Sequence, residues 1–161
     1  MIIRQNRPAQ MAKQVLESLW DGFLPINLDA LASRLGLLVI RDETLNLQGF
    51  SGAYENGEGR PLVRINPSDS VRRQRFTFAH EIGHHVLGHG SRPRDPAANF
   101  SMSADPVERE ANQFAAELLM PGDALKHVVR IEGVRDISTL AKRFGVSEVA
   151  MSYRLKNLRL I

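Results

Sequence analysis

The sequence contains no cysteine. A disulfide framework and a thiolate metal site are both excluded, and the chain suits a reducing compartment, so a cytoplasmic location is expected. Long apolar runs are also missing. No stretch approaches the ~20 apolar residues needed to cross a bilayer, and the opening residues, Met-Ile-Ile-Arg-Gln-Asn-Arg-Pro, are not followed by the apolar core of a secretion signal. A membrane partner is therefore not expected. Neither is a dominant charge of one sign: 21 basic against 18 acidic side chains leave a net charge of +3. A solvated surface accounts for that balance without nucleic acid.

What is present suits one globular domain over residues 1–161, of α+β class and mainly helical. Residues 1–36 read as N-terminal helices. Met11, Val15, Leu16, Leu19 and Trp20 form the stripe of a helix over 8–20, and Asn27 caps a second helix that stops at Gly36. Residues 37–66 read as a small sheet of about three strands, at 37–40, 50–54 and 62–65, with Glu55 to Gly59 turning the hairpin. Residues 67–130 read as a helical core. Its long first helix opens at Asn66-Pro67 or Asp69-Ser70 and presents Arg72, Arg73 and Arg75 as a solvated basic face. A loop over 90–104 leads to a helix opening at Asp105, and a short helix lies near 123–129. Residues 131–161 read as a C-terminal pair of helices resembling a helix-turn-helix, turning at 144–147.

The most informative stretch is 78–89, Phe-Ala-His-Glu-Ile-Gly-His-His-Val-Leu-Gly-His, in which His80, Glu81 and His84 make H-E-x-x-H. On a helix, residues four apart differ by about 40° in azimuth and ~6 Å along the axis. Two imidazoles so placed can hold one metal ion, and Glu81 can act as general base on a water beside it. Gly83 is costly inside a helix unless another group must come close. His85 and His89 read as solvated.

A catalytic zinc site takes a third protein ligand and keeps an open position. The extended motif H-E-x-x-H-x-x-G-x-x-H fails here, because Leu87 and Gly90 stand where glycine and histidine are needed. Glu108, Glu110 and Glu117 on the following helix remain. At 100° per residue Glu108 falls between Ala115 and Leu119, inside the apolar stripe, where a carboxylate needs a partner. Glu108 is therefore the first candidate and Glu110 the alternative. Asp105 and Glu108 also fit a capping box, which is the competing explanation. Asn112, one turn on, can hydrogen-bond a metal ligand from behind and orient it. For an oxyanion stabiliser the candidates are Tyr54, His89, His127 and Tyr153.

Residues 75–89 and 108–121, with weaker support from 26–39 and from 140–147 together with Arg154-Leu155, resemble the ImmA/IrrE family of metallopeptidases. The resemblance implies a bacterial or mobile-element zinc endopeptidase with a thermolysin-like site. His80, His84 and Glu108 would be the ligands of Zn2+ and Glu81 the general base. It also implies a protein substrate, a helix-turn-helix transcriptional repressor. An extended substrate segment could pair with the edge of strand 50–54 or 62–65, near Tyr54, beside the loop 90–104. The alternatives are a DNA-binding regulator acting through the C-terminal pair, and a partner-binding component of a toxin–antitoxin-like pair. Glu148 at the start of the recognition helix would sit close to phosphates, so direct DNA binding is not expected.

Overall fold

The structure, a computed structural model, describes residues 6–94 and 105–161. It is α+β and mainly helical. The expected loop over 90–104 lies outside the described residues from 95 onward. The N-terminal helix α1 (Arg7–Leu19) is capped by Asn6 Oδ1, which accepts from Ala9 N at 3.2 Å, and it buries Ala12, Val15 and Leu16. In α2 (Leu28–Arg34) Asn27 plays the same part toward Ala30 N, at 3.0 Å.

Strand β1 (Leu38–Arg41) starts one residue later than the apolar run predicts. The reason is the end of α2. Gly36 takes a left-handed φ of 78°, and Leu37 N donates back to Ala32 O at 2.9 Å. Leu37 is thereby used to close the helix. A short helix α3 (Thr44–Gln48), absent from the sequence reading, follows β1 and buries only Leu45.

Strands β2 (Gly52–Glu55) and β3 (Leu62–Ile65) form the expected antiparallel hairpin. Among the described residues the sheet has four strands rather than about three, in the order β1-β3-β2-β4, with β1 parallel to β3. The fourth, β4 (Arg92–Arg94), runs antiparallel to β2. This corrects two expectations. Residues 92–94 are strand rather than loop, and β2 and β3 are both interior, so neither presents a free edge to a substrate. The edges of the sheet are β1 and β4.

Helix α4 (Val71–Leu87) carries the H-E-x-x-H motif. Ser70 Oγ caps it by accepting from Arg73 N at 3.3 Å, and Gly88 ends it with a left-handed φ of 73°. Then come α5 (Pro106–Leu119), α6 (Gly122–Arg130), α7 (Ile137–Phe144) and α8 (Glu148–Asn157). The last two turn at Gly145 and are capped by Asp136 and Ser147. α4 lies between the sheet and α5. Gly83 permits the approach: a Cβ built there would stand 3.0 Å from the Phe114 ring. Phe114 is fully buried at the centre of one apolar cluster that draws on α1, α2, the sheet and α4 to α8.

Two of the three arginines at the start of α4, Arg73 and Arg75, are not part of a solvated face. Arg75 is half-buried, donating to Ile26 O at 2.9 Å and to Gly145 O at 3.2 Å. Arg73 donates to Ser51 Oγ at 3.2 Å and faces Asp69 at 3.7 Å. These guanidiniums tie α4 to three distant loops, their stems covered by protein. No helix among the described residues is long and apolar enough to cross a membrane.

Candidate metal centre

His80 and His84 stand one turn apart on α4, both buried, with their Nε2 atoms 3.0 Å apart. Glu108 reaches them from the first turn of α5. Its Oε2 lies 2.8 Å from His80 Nε2 and its Oε1 3.3 Å from His84 Nε2. One ligand atom from each of the three residues can be chosen so that all lie within 4.8 Å of one another. Tetrahedral bonds of ~2.0–2.1 Å to zinc require ligand atoms about 3.3 Å apart, so the set has the size of a zinc site.

The proton arrangement has the same sense. Asn112 Oδ1 lies 2.8 Å from His80 Nδ1. A carbonyl oxygen only accepts, so Nδ1 carries the proton and Nε2 presents a lone pair. On the other ligand, His89 Nε2 lies 3.1 Å from Glu110 Oε1, and His89 Nδ1 lies 2.9 Å from His84 Nδ1. Read inward from the carboxylate, His89 donates to Glu110 through Nε2 and accepts on Nδ1 from His84. His84 Nε2 is then also a lone pair. Burial by itself would raise the Glu108 carboxyl; with no ion present, hydrogen bonds and charge from protonated His80 and His84 reverse this and hold it well below the usual carboxylate range, and a cation among the three groups would supply the same positive charge when both Nε2 atoms are bare. Two nitrogen lone pairs and an ionised carboxylate thus converge where one shared cation balances them. Two imidazolium ions at 3.0 Å in a buried site would repel strongly.

Glu81 projects from α4 toward the sheet and is fully buried. Gly52 of β2 makes the room: a Cβ built there would meet Thr77 Cγ2 at 2.5 Å and Glu81 Oε1 at 3.3 Å. The general-base candidate therefore sits against the hairpin, on the helix that carries both imidazoles.

The structure places the other candidates as follows. Glu110 does not join the three converging groups but holds His89. Glu117 is buried and pairs with Arg154, and its Oε1 also accepts from Gly122 N at 3.2 Å. Tyr54 is 1% exposed, with its hydroxyl 2.8 Å from His85 Nδ1. His85 and His89 are thus not solvated, which corrects the sequence reading. His127 is largely exposed beside Glu132, at 3.9 Å. Tyr153, on α8, lines a cavity that Asn112 also borders. The part played by His89 and Glu110 was missed because His89 lies beyond the left-handed cap at Gly88. There His89 N folds back onto His84 O at 3.0 Å, and helical spacing no longer says where a side chain points.

Residues 32–156 match the peptidase M78 family model, described as the IrrE N-terminal-like domain. The chain is 29% identical over 122 residues to an uncharacterized immunity region protein 2 of Bacillus phage phi105, covering 75% of each. It is 34% identical over 99 residues to the radiation response metalloprotease IrrE of Deinococcus radiodurans, and the match covers 58% of this chain but only 30% of that protein. A family match over most of the chain, spanning both the histidine helix and the glutamate helix, means that this protein belongs to the peptidase M78 family of IrrE N-terminal-like domains.

Proposed function

We propose that the protein is a zinc-dependent endopeptidase that acts in the cytoplasm on a helix-turn-helix transcriptional repressor. One observation carries the enzymatic part: the Nε2 lone pairs of His80 and His84 and the Glu108 carboxylate converge within 4.8 Å beside the buried Glu81. In this reading His80, His84 and Glu108 hold the ion, Asn112 orients His80, and His89 with Glu110 orients His84. A bound zinc supplies Lewis acidity, polarising the scissile carbonyl and acidifying water. Glu81 removes the proton from the attacking water and delivers it to the leaving amine. Its burial against Gly52 fixes the carboxylate in one direction.

The choice of substrate is supported by the family and by the phage relative, whose name places it in an immunity region. The test is incubation of the zinc-loaded protein with helix-turn-helix repressors from its source genome and with unfolded casein, each with and without a chelator. Mass spectrometry would identify the products. The expected result is cleavage of a repressor at one or a few bonds, abolished by chelator. Ready digestion of casein with the repressors untouched would contradict the substrate and leave the peptidase standing.

A further inference from the structure

A cavity of about 700 Å³ lies between α4, α5 and α8. It borders the metal centre on the Nδ1 side of His80. Asn112, which accepts from His80, stands in its wall, and so does Phe76, whose ring centroid is 6.5 Å from that of His80. The outer wall is α8. Val149, Ala150, Tyr153 and Asn157 line it from one helical face, and Val149 and Tyr153 are 67% and 55% exposed. This is the helix that a DNA-binding helix-turn-helix would lay in the major groove. Here its apolar face lines the cavity beside the metal centre.

The charge of the cavity is one-sided. Arg72, Arg73, Arg109 and Arg154 line it, and no aspartate or glutamate does among the described residues. Arg154 is committed to Glu117 and to Met120 O, and Arg73 to Ser51 and Asp69. Arg72 and Arg109 make no ion pair among the described residues, and both reach solvent. A strip of apolar side chains flanked by two such guanidiniums is poorly suited to a phosphate backbone, which rewards dense positive charge. It suits a peptide whose large apolar side chains alternate with carboxylates.

We propose that this groove docks the substrate beside the metal centre, and that it selects an apolar segment carrying acidic residues which pair with Arg72 and Arg109. The inference rests on the peptidase reading above and adds to it a substrate class and a role for α8.

The test is binding, read by fluorescence anisotropy on the zinc-loaded full chain. Two labelled decapeptides share alternating leucines, with glutamate between them in one and lysine in the other. A ketomethylene isostere replaces the central bond so that neither is cleaved. The wild type should prefer the glutamate peptide by roughly tenfold, the scale of two exposed ion pairs. Arg72→Glu combined with Arg109→Glu should invert the preference, and Tyr153→Ser should weaken both peptides. Equal affinities in the wild type, or no inversion in the double variant, would overturn the proposal. A 20-bp DNA duplex that displaces the glutamate peptide would overturn it as well and assign the groove to nucleic acid. Zinc content and far-ultraviolet circular dichroism are read on the same samples. A wild type that binds no zinc would sink the peptidase reading, whereas the charge inversion decides the groove by itself.

Discussion

The Nδ1 atoms of His84 and His89 lie 2.9 Å apart, and His89 is held on its far side by Glu110 at 3.1 Å. This contact sets the tautomer of His84, because a ring that donates through Nδ1 presents Nε2 as a bare lone pair. An outer partner of this kind also fixes the orientation of a ligand ring.

His89→Ala should therefore weaken zinc binding by about 10–100-fold, the usual effect of losing such a partner, without unfolding the chain. Glu110→Gln should have a smaller effect in the same direction, since an amide oxygen still accepts from His89. Competition with a chromophoric chelator measures both. Unchanged affinity in His89→Ala would show that the contact does not support the metal.

Glu81→Gln separates base from ligand. The amide preserves shape but cannot take a proton. Metal content and melting temperature should stay near wild type, and hydrolysis should fall by at least ~10²-fold. Full turnover in this variant would remove Glu81 from the reaction.

The pair of Glu117 and Arg154 joins α5 to α8 out of solvent, with side chains only 5% and 13% exposed. Removing one member leaves a buried charge uncompensated. Glu117→Ala should cost about 3–5 kcal/mol in chemical denaturation, and Glu117→Leu combined with Arg154→Met should recover most of it. A loss below about 1 kcal/mol in the single variant would mean that the released arginine reaches water.

Gly52 and Gly83 test the packing that places α4. A side chain at 52 collides with Thr77 and with the backbone oxygen of Arg64, and one at 83 presses on the Phe114 ring. Gly52→Val should be the more destabilising, because part of its obstacle is backbone and cannot rotate away. Thermal melts of the two valine variants give the order. The reverse order would show that the sheet yields more readily than the core around Phe114.

These relationships were legible in the sequence to different depths. His80, Glu81 and His84 followed from helical period alone. Glu108 followed from a carboxylate inside an apolar stripe, which has to be matched by a partner. The strand at 92–94 was not legible, since three residues read as Arg-Pro-Arg carry no alternation. The helix at 44–48 buries a single leucine, too little for a period to register. Arg75 is not legible because a charged side chain reads as solvated, whereas its fork reaches two carbonyls at Ile26 and Gly145. His89 was lost beyond a left-handed cap, where the chain reverses and helical arithmetic stops applying.

The central claim is that Glu108, not Glu110, completes the metal site. The most direct measurement is bound zinc per chain in the wild type, Glu108→Ala and Glu110→Ala, each purified from zinc-supplemented cells and analysed by elemental mass spectrometry. The expected result is close to one ion for the wild type, near none for Glu108→Ala, and an ion retained in Glu110→Ala when zinc is in excess. Zinc kept by Glu108→Ala and lost from Glu110→Ala would contradict the account.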